Sequence, residues 1–149
     1  MKTTDANSPS KQGSVAVIGA GNIGSHLLPL VGRMPMVGRV TIVDHDSYEE
    51  KNLVSQSITP SDVGQPKAAV QARRLRDIDP RLRVTPIVER IENVPLGAFR
   101  ADVLLGCLDS RLSRRIASGI AWRRYCKRAR ARWAWANMKF AVGWAGTIT

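Results

Sequence analysis

Short apolar runs alternate along the chain with longer stretches whose apolar residues recur at helical spacing. Val15-Ala-Val-Ile18 is the first run and Val40-Thr-Ile-Val43 the second, each short enough to be a buried strand. Between them, residues 23–34 put Leu27, Leu28 and Val31 on one side of a helix. Pro29 lies inside it and should kink the helix or shift its packing. Residues 45–62 are polar and form a long loop, a kind of segment that often carries function. Gly64-Gln-Pro-Lys-Ala68 opens a second helix to about Ile78, with Pro66 suited to its first turn and Asp79-Pro80 ending it. Residues 83–88 read as a third strand, 91–99 as a short connection with a helical turn, and 101–107 as a fourth, buried strand. From Arg111 to about Arg124 the chain is again helix-like. This alternation predicts an α/β domain with a Rossmann-like, doubly wound, mostly parallel sheet and helices on both faces.

A chain of 149 residues, 44% of them apolar, fits one such domain. The net charge of +11 suggests a nucleic-acid binder until it is divided. Residues 1–110 carry 13 Lys/Arg against 12 Asp/Glu, whereas residues 111–149 carry 10 Lys/Arg and no acid. Trp122, Trp133, Trp135 and Trp144 also fall in that last part. The expected layout is therefore a disordered polar leader over 1–12, a nucleotide-binding domain over 13–122 and a basic, Trp-rich tail over 123–149. No apolar stretch is long enough to span a bilayer and the leader lacks a signal-peptide core, so the expectation is a cytoplasmic protein without a membrane partner. Cys107 and Cys126 make neither a disulfide framework nor a zinc site.

Two readings of the tail stay open. In one it is a basic helix with an apolar stripe of Trp122, Tyr125, Ala129, Trp133, Ala136 and Phe140, suited to a membrane surface, nucleic acid or an acidic partner. In the other it is the wrong frame of a GC-rich gene, and the protein is a truncated domain. A faint likeness of residues 135–146 to a fifth strand and glycine loop complicates both.

The first strand ends in Gly19-Ala-Gly21-Asn-Ile-Gly24. In a strand–loop–helix the first glycine allows the sharp turn, the second lets backbone approach a phosphate, and the third lets helix and strand pack closely. Alone the pattern is weak. Here Asp44 ends the second strand about 20 residues beyond Gly24, at the place of a ribose-binding acid. Asp44 and Asp109 both follow strand ends, where parallel sheets bind their ligands, so the two face one pocket.

Further motifs occur in order: Val43-Asp44-His-Asp46, Asn52-Leu-Val-Ser-Gln56, Gly64-Gln-Pro-Lys67, Ile78-Asp-Pro80 and Cys107-Leu-Asp109-Ser-x-x-x-Arg114. Together with the glycine loop they resemble the ThiF/MoeB and ubiquitin-activating (E1-like) enzymes over residues 14–122. The resemblance implies ATP-dependent adenylation of the C-terminal carboxylate of a ubiquitin-like or sulfur-carrier protein, with release of pyrophosphate. It implies that Gly19, Gly21, Asn22 and Gly24 lie under the nucleotide and that Asp44 binds the ribose. It places Asn52 and Lys67 on the phosphates, Gln56 and Asp46 near them, and Mg2+ on Asp109. Family members are commonly dimers, so a homodimer is also implied.

Each residue also has a plainer reading. Lys67 would be a surface lysine, Asp109 a cap for the helix after it, Cys107 a buried strand residue, and His26 and His45 surface residues. Three departures from the family pattern stand out. Ser55 occupies the place of a usual arginine, no arginine-bearing segment is recognisable ahead of the glycine loop, and the later strands and Cys-x-x-Cys pairs do not follow. The competing functions are an NAD(P)-dependent oxidoreductase, which shares the glycine loop and the acid, and a non-catalytic module, truncated or binding nucleic acid through its tail.

Overall fold

The computed structural model describes residues 13–121. The readings made above of the leader, of Cys126 and of the tail lie outside the described residues. Four strands form one sheet in the order β3-β2-β1-β4, every neighbouring pair parallel. They are β1 (Gly13–Ile18), β2 (Val37–Val43), β3 (Arg83–Ile87) and β4 (Val103–Gly106). The helices are α1 (Asn22–Gly32), α2 (Lys67–Ile78) and α3 (Arg111–Ala121). Among the described residues no helix is long and apolar enough to cross a membrane.

The pleat of each strand sends alternate side chains to opposite faces. On one face Val15, Val17, Val40, Ile42 and Val84 pack with Leu28 and Val31 of α1 and Ala68, Ala72 and Leu75 of α2. On the other, Ile18 and Val43 pack with Ile91, Val94, Phe99 and, from α3, Ala117 and Ile120. Helices on both faces, as the sequence predicted, follow from this division. Each fully buried Leu contributes about 1.5–3 kcal/mol relative to exposure.

One expected boundary changes, and two prolines sit inside regular elements. α1 stops at Gly32, not Met34, because Pro35 disfavours helical backbone in the residue before it. The helix runs through Pro29, whose carbonyl accepts a 2.8 Å bond from the Arg33 guanidinium. Pro86 sits within β3, where a missing N–H is tolerated because β3 is an edge strand.

The expectation that β4 is buried is corrected. Val103 and Gly106 are exposed, Leu104 and Leu105 only partly buried, and β1 is the strand's sole partner among the described residues.

The loop over 45–62 is ordered by its own bonds. It holds two short 3-10 turns, Glu50–Val54 and Pro60–Asp62. The buried Asp62 carboxylate accepts from the Thr59 amide (2.8 Å), the Thr59 hydroxyl (2.7 Å), Arg73 (2.6 Å) and Arg74 (2.7 Å). Arg74 also donates to the Ser57 carbonyl. Burial alone would raise the Asp62 carboxyl, but the Thr59 bonds and the two guanidiniums outweigh it and hold the group below the usual carboxylate range. The loop is thereby pinned to α2.

Candidate functional site

A cleft of about 510 Å³ opens at the carboxyl ends of the strands. Gly19, Gly21, Asn22, Asp44, Asp46, Gln56, Lys67 and Asp109 all line it. Residues far apart in sequence thus converge because most of them follow a strand end or start a helix on the same side of the sheet, while Gln56 is brought there by the 3-10 turn that precedes it in the loop.

The glycine loop is shaped by contacts on two sides. Gly19 has φ +95°, a left-handed conformation that a side chain would strain. A Cβ on Gly24 would run into the Gly19 carbonyl, so close helix–strand packing requires hydrogen there. A Cβ on Gly21 would meet no protein atom within 4 Å. The space in front of Gly21 is open to the cleft, which suits close approach of a ligand.

Asp44 has a task within the protein itself. Its carboxylate accepts the Ala20 amide at 2.6 Å and the Asp46 amide at 2.9 Å, tying the end of β2 to the glycine loop. Each oxygen keeps a second lone pair for a hydroxyl donor. Lys67, expected in its plainer reading on the surface, is only 8% exposed. Its backbone N–H bonds the Asp46 carbonyl at 2.8 Å, and its ammonium lies 3.4 Å from the Asp46 carboxylate and 5.8 Å from the centre of the Tyr48 ring. An ammonium with three donors and one long ion pair is well supplied for an anion. The Gln56 Oε1, an acceptor, is buried without a hydrogen-bond partner among the described residues.

Asp109 does not cap α3. Ser110 does, its hydroxyl accepting the Ser113 amide at 3.1 Å, while the Asp109 carbonyl accepts from Arg114 at 2.5 Å. Asp109 lines the cleft, and neither of these bonds uses its carboxylate. Asn52 and Gly24 are the two expected site residues outside the cleft lining. Asn52 is buried, and its Oδ1 accepts the Glu49 amide at 2.8 Å, closing the 3-10 turn. Gly24 acts from beneath the loop.

Other expectations fall into place. His26 is exposed, with Nε2 3.2 Å from the Ser55 carbonyl, and His45 is an exposed loop residue 3.1 Å from Asp46. Cys107, expected as a buried strand residue, instead lies just past β4 and is half-buried; that burial pushes its thiol up to about 11. Sequence reasoning missed Glu89, Arg90 and Ile91, which also line the cleft from the segment after β3. Their signal was position alone, since residues following a strand in a parallel sheet face the ligand side.

A sequence profile of the ThiF family matches residues 5–144. The adenylyltransferase and sulfurtransferase UBA4 of Candida glabrata is 34% identical over 117 residues, covering 74% of this chain and 26% of that protein. The sulfur carrier protein adenylyltransferase of Thermus thermophilus is 43% identical over 75 residues, 50% of this chain and 27% of that protein. The chain therefore spans about a quarter of the length of these relatives. Among solved structures, the E. coli tRNA N6-threonylcarbamoyladenosine dehydratase TcdA in complex with ATP superposes with a TM-score of 0.69 at 26% identity, covering 76% of this chain and 48% of that one. The profile match takes in nearly the whole sequence, and with the glycine loop, Asp44 and Lys67 gathered at one cleft, the chain belongs to the ThiF family.

Proposed function

We propose that this domain binds MgATP and adenylates the C-terminal carboxylate of a ubiquitin-like or sulfur-carrier protein in the cytoplasm, as part of a homodimer. The observation that carries the reading is the cleft itself. Open space before Gly21 and a Lys67 ammonium with a single long ion pair line the same cleft as the strand-end acid Asp44. The T. thermophilus relative is named for adenylating a sulfur carrier, and TcdA was solved with ATP.

In the reaction a carboxylate oxygen bonds the α-phosphorus, the bond to the bridging oxygen breaks, and its electron pair leaves with pyrophosphate. The attacking carboxylate is already ionised at neutral pH, so no general base is needed. Catalysis is then mostly positioning and charge stabilisation. Asp44 takes the ribose hydroxyls on its remaining lone pairs, and the free N–H groups at the start of α1 face the phosphates. Lys67 supplies a fixed positive charge, and Gln56 orients beside it. Magnesium, held by Asp109, would neutralise charge on the leaving phosphates. Asn52 supports this machinery by setting the turn that carries Gln56. With Ser55 in the place of the family arginine, Arg90, an arginine among the residues that line the cleft, would take that role.

Thermal unfolding of the whole chain with MgATP or NAD tests the reading. A melting temperature raised by MgATP and not by NAD, lost in Lys67→Met, supports it, and ATP–pyrophosphate exchange with a carrier protein follows. A shift with NAD alone overturns it in favour of an oxidoreductase.

A further inference from the structure

Tyr48 lies in a polar loop, yet it is 1% exposed, among the most buried large side chains of the domain. Its hydroxyl donates to the Ala20 carbonyl at 2.9 Å and accepts from the Gln71 amide at 2.8 Å. The Ala20 amide is held independently by Asp44 at 2.6 Å. Ala20 is therefore fixed on both of its peptide bonds.

From these bonds we infer that Tyr48, oriented by Gln71, is a positioning residue that aims the Gly21 N–H into the cleft and walls the Lys67 ammonium toward the same place. The Ala20 carbonyl and the Gly21 N–H belong to one peptide plane and point in opposite directions across a trans bond. No cis peptide bond occurs among the described residues. Drawing the carbonyl inward onto the buried phenol turns the N–H outward, on the side where Gly21 lines the cleft. Gln71 fixes the phenol in turn. Its Nε2 donates to the phenolic oxygen, leaving the phenol's own proton for Ala20, while its Oε1 stays buried without a partner. The backbone of Tyr48 completes the brace. Its N–H bonds the Gln65 carbonyl at 3.0 Å and its carbonyl accepts from Gly64 at 2.8 Å, which ties the loop to the residues just ahead of α2.

This role rests on the nucleotide reading above, and the test separates the two. The measurement is the affinity of the full chain for MgATP and for adenosine, with amide hydrogen exchange at Gly21. Tyr48→Phe keeps the ring beside Lys67 and removes only the hydroxyl. The expected result is MgATP affinity about fivefold to tenfold lower, the size of one lost hydrogen bond, with adenosine affinity within about twofold and faster Gly21 exchange. Gln71→Leu should move all three in the same direction by less. Were Tyr48→Phe to fail to fold, the Gln71→Leu ratio decides alone. A lowered melting temperature with an unchanged MgATP-to-adenosine ratio makes Tyr48 core packing only and overturns the role. If the unaltered chain binds no MgATP, the nucleotide reading falls and this role with it.

Discussion

β1 and β4 lie side by side in register from Val15 opposite Val103 to Ile18 opposite Gly106. Both are short apolar runs, and they meet opposite fates. From Ser14 to Ile18 every residue of β1 is buried, whereas β4 begins and ends exposed. The helices divide the same way. α1 buries Gly24, Ser25, Leu28, Val31 and Gly32, while α3 buries only Ala117 and Ile120; each also leaves apolar side chains in the open, Ile23 and Leu30 on α1 and Leu112 on α3. What separates the two regions is the number of neighbours. β1 is paired on both edges and covered on both faces, while β4 is paired on one edge among the described residues. Apolar sequence supplies the capacity for burial, and topology decides how much of it is used.

The comparison can be strained at points of decreasing force. Gly24→Val drives a side chain into the Gly19 backbone, which cannot yield as a flexible side chain would, and should cost about 4 kcal/mol or more in urea unfolding. Asp62→Ala leaves Arg74 facing an emptied buried site and should cost about 3–5 kcal/mol. Because the folded-state carboxyl lies below its unfolded value, that stabilisation is complete above about pH 4 and is lost as pH falls below it through the folded pKa. Urea midpoints taken from pH 7 down to pH 2 should thus show an acid limb that is weaker in Asp62→Asn.

Leu28→Ala should cost about 2–5 kcal/mol, and Leu112→Ala, on the open side, within about 0.5 kcal/mol. Equal costs for this pair would mean that the open side is covered in solution. The smallest effect belongs to Cys107, at the seam between the regions. Its raised thiol keeps its proton while an unfolded thiol, near about 8.5, loses it, so stability should fall as pH climbs from there toward about 11. Peptide mapping after alkylation at pH 8 should find it largely unmodified, and Cys107→Ser should flatten the alkaline slope.

Much of the fold was legible because its signals are local. The glycine loop, the Asp44 spacing and the alternation of runs and helices are set within windows of a few dozen residues. The exposure of β4 was not, since Val103-Leu-Leu reads the same whether one or two strands flank it. Asn52 was expected at the phosphates because of its motif, and its bond to Glu49 is visible only once the 3-10 turn is formed. Tyr48 was silent for the converse reason. A tyrosine among Ser, Glu and Lys looks solvent-facing, and its partners Ala20 and Gln71 are 28 and 23 residues away.

The three loop glycines also differ in who would notice their loss. Selection for a folded, protease-resistant chain would reject a larger residue at Gly19 or Gly24, where the protein's own atoms object. At Gly21 it would let alanine through, since nothing in the protein stands in the way. On the nucleotide reading proposed above, only selection on ligand binding would remove it, so variants at Gly21 are where a library sorted for folding alone would accumulate silent losses of function.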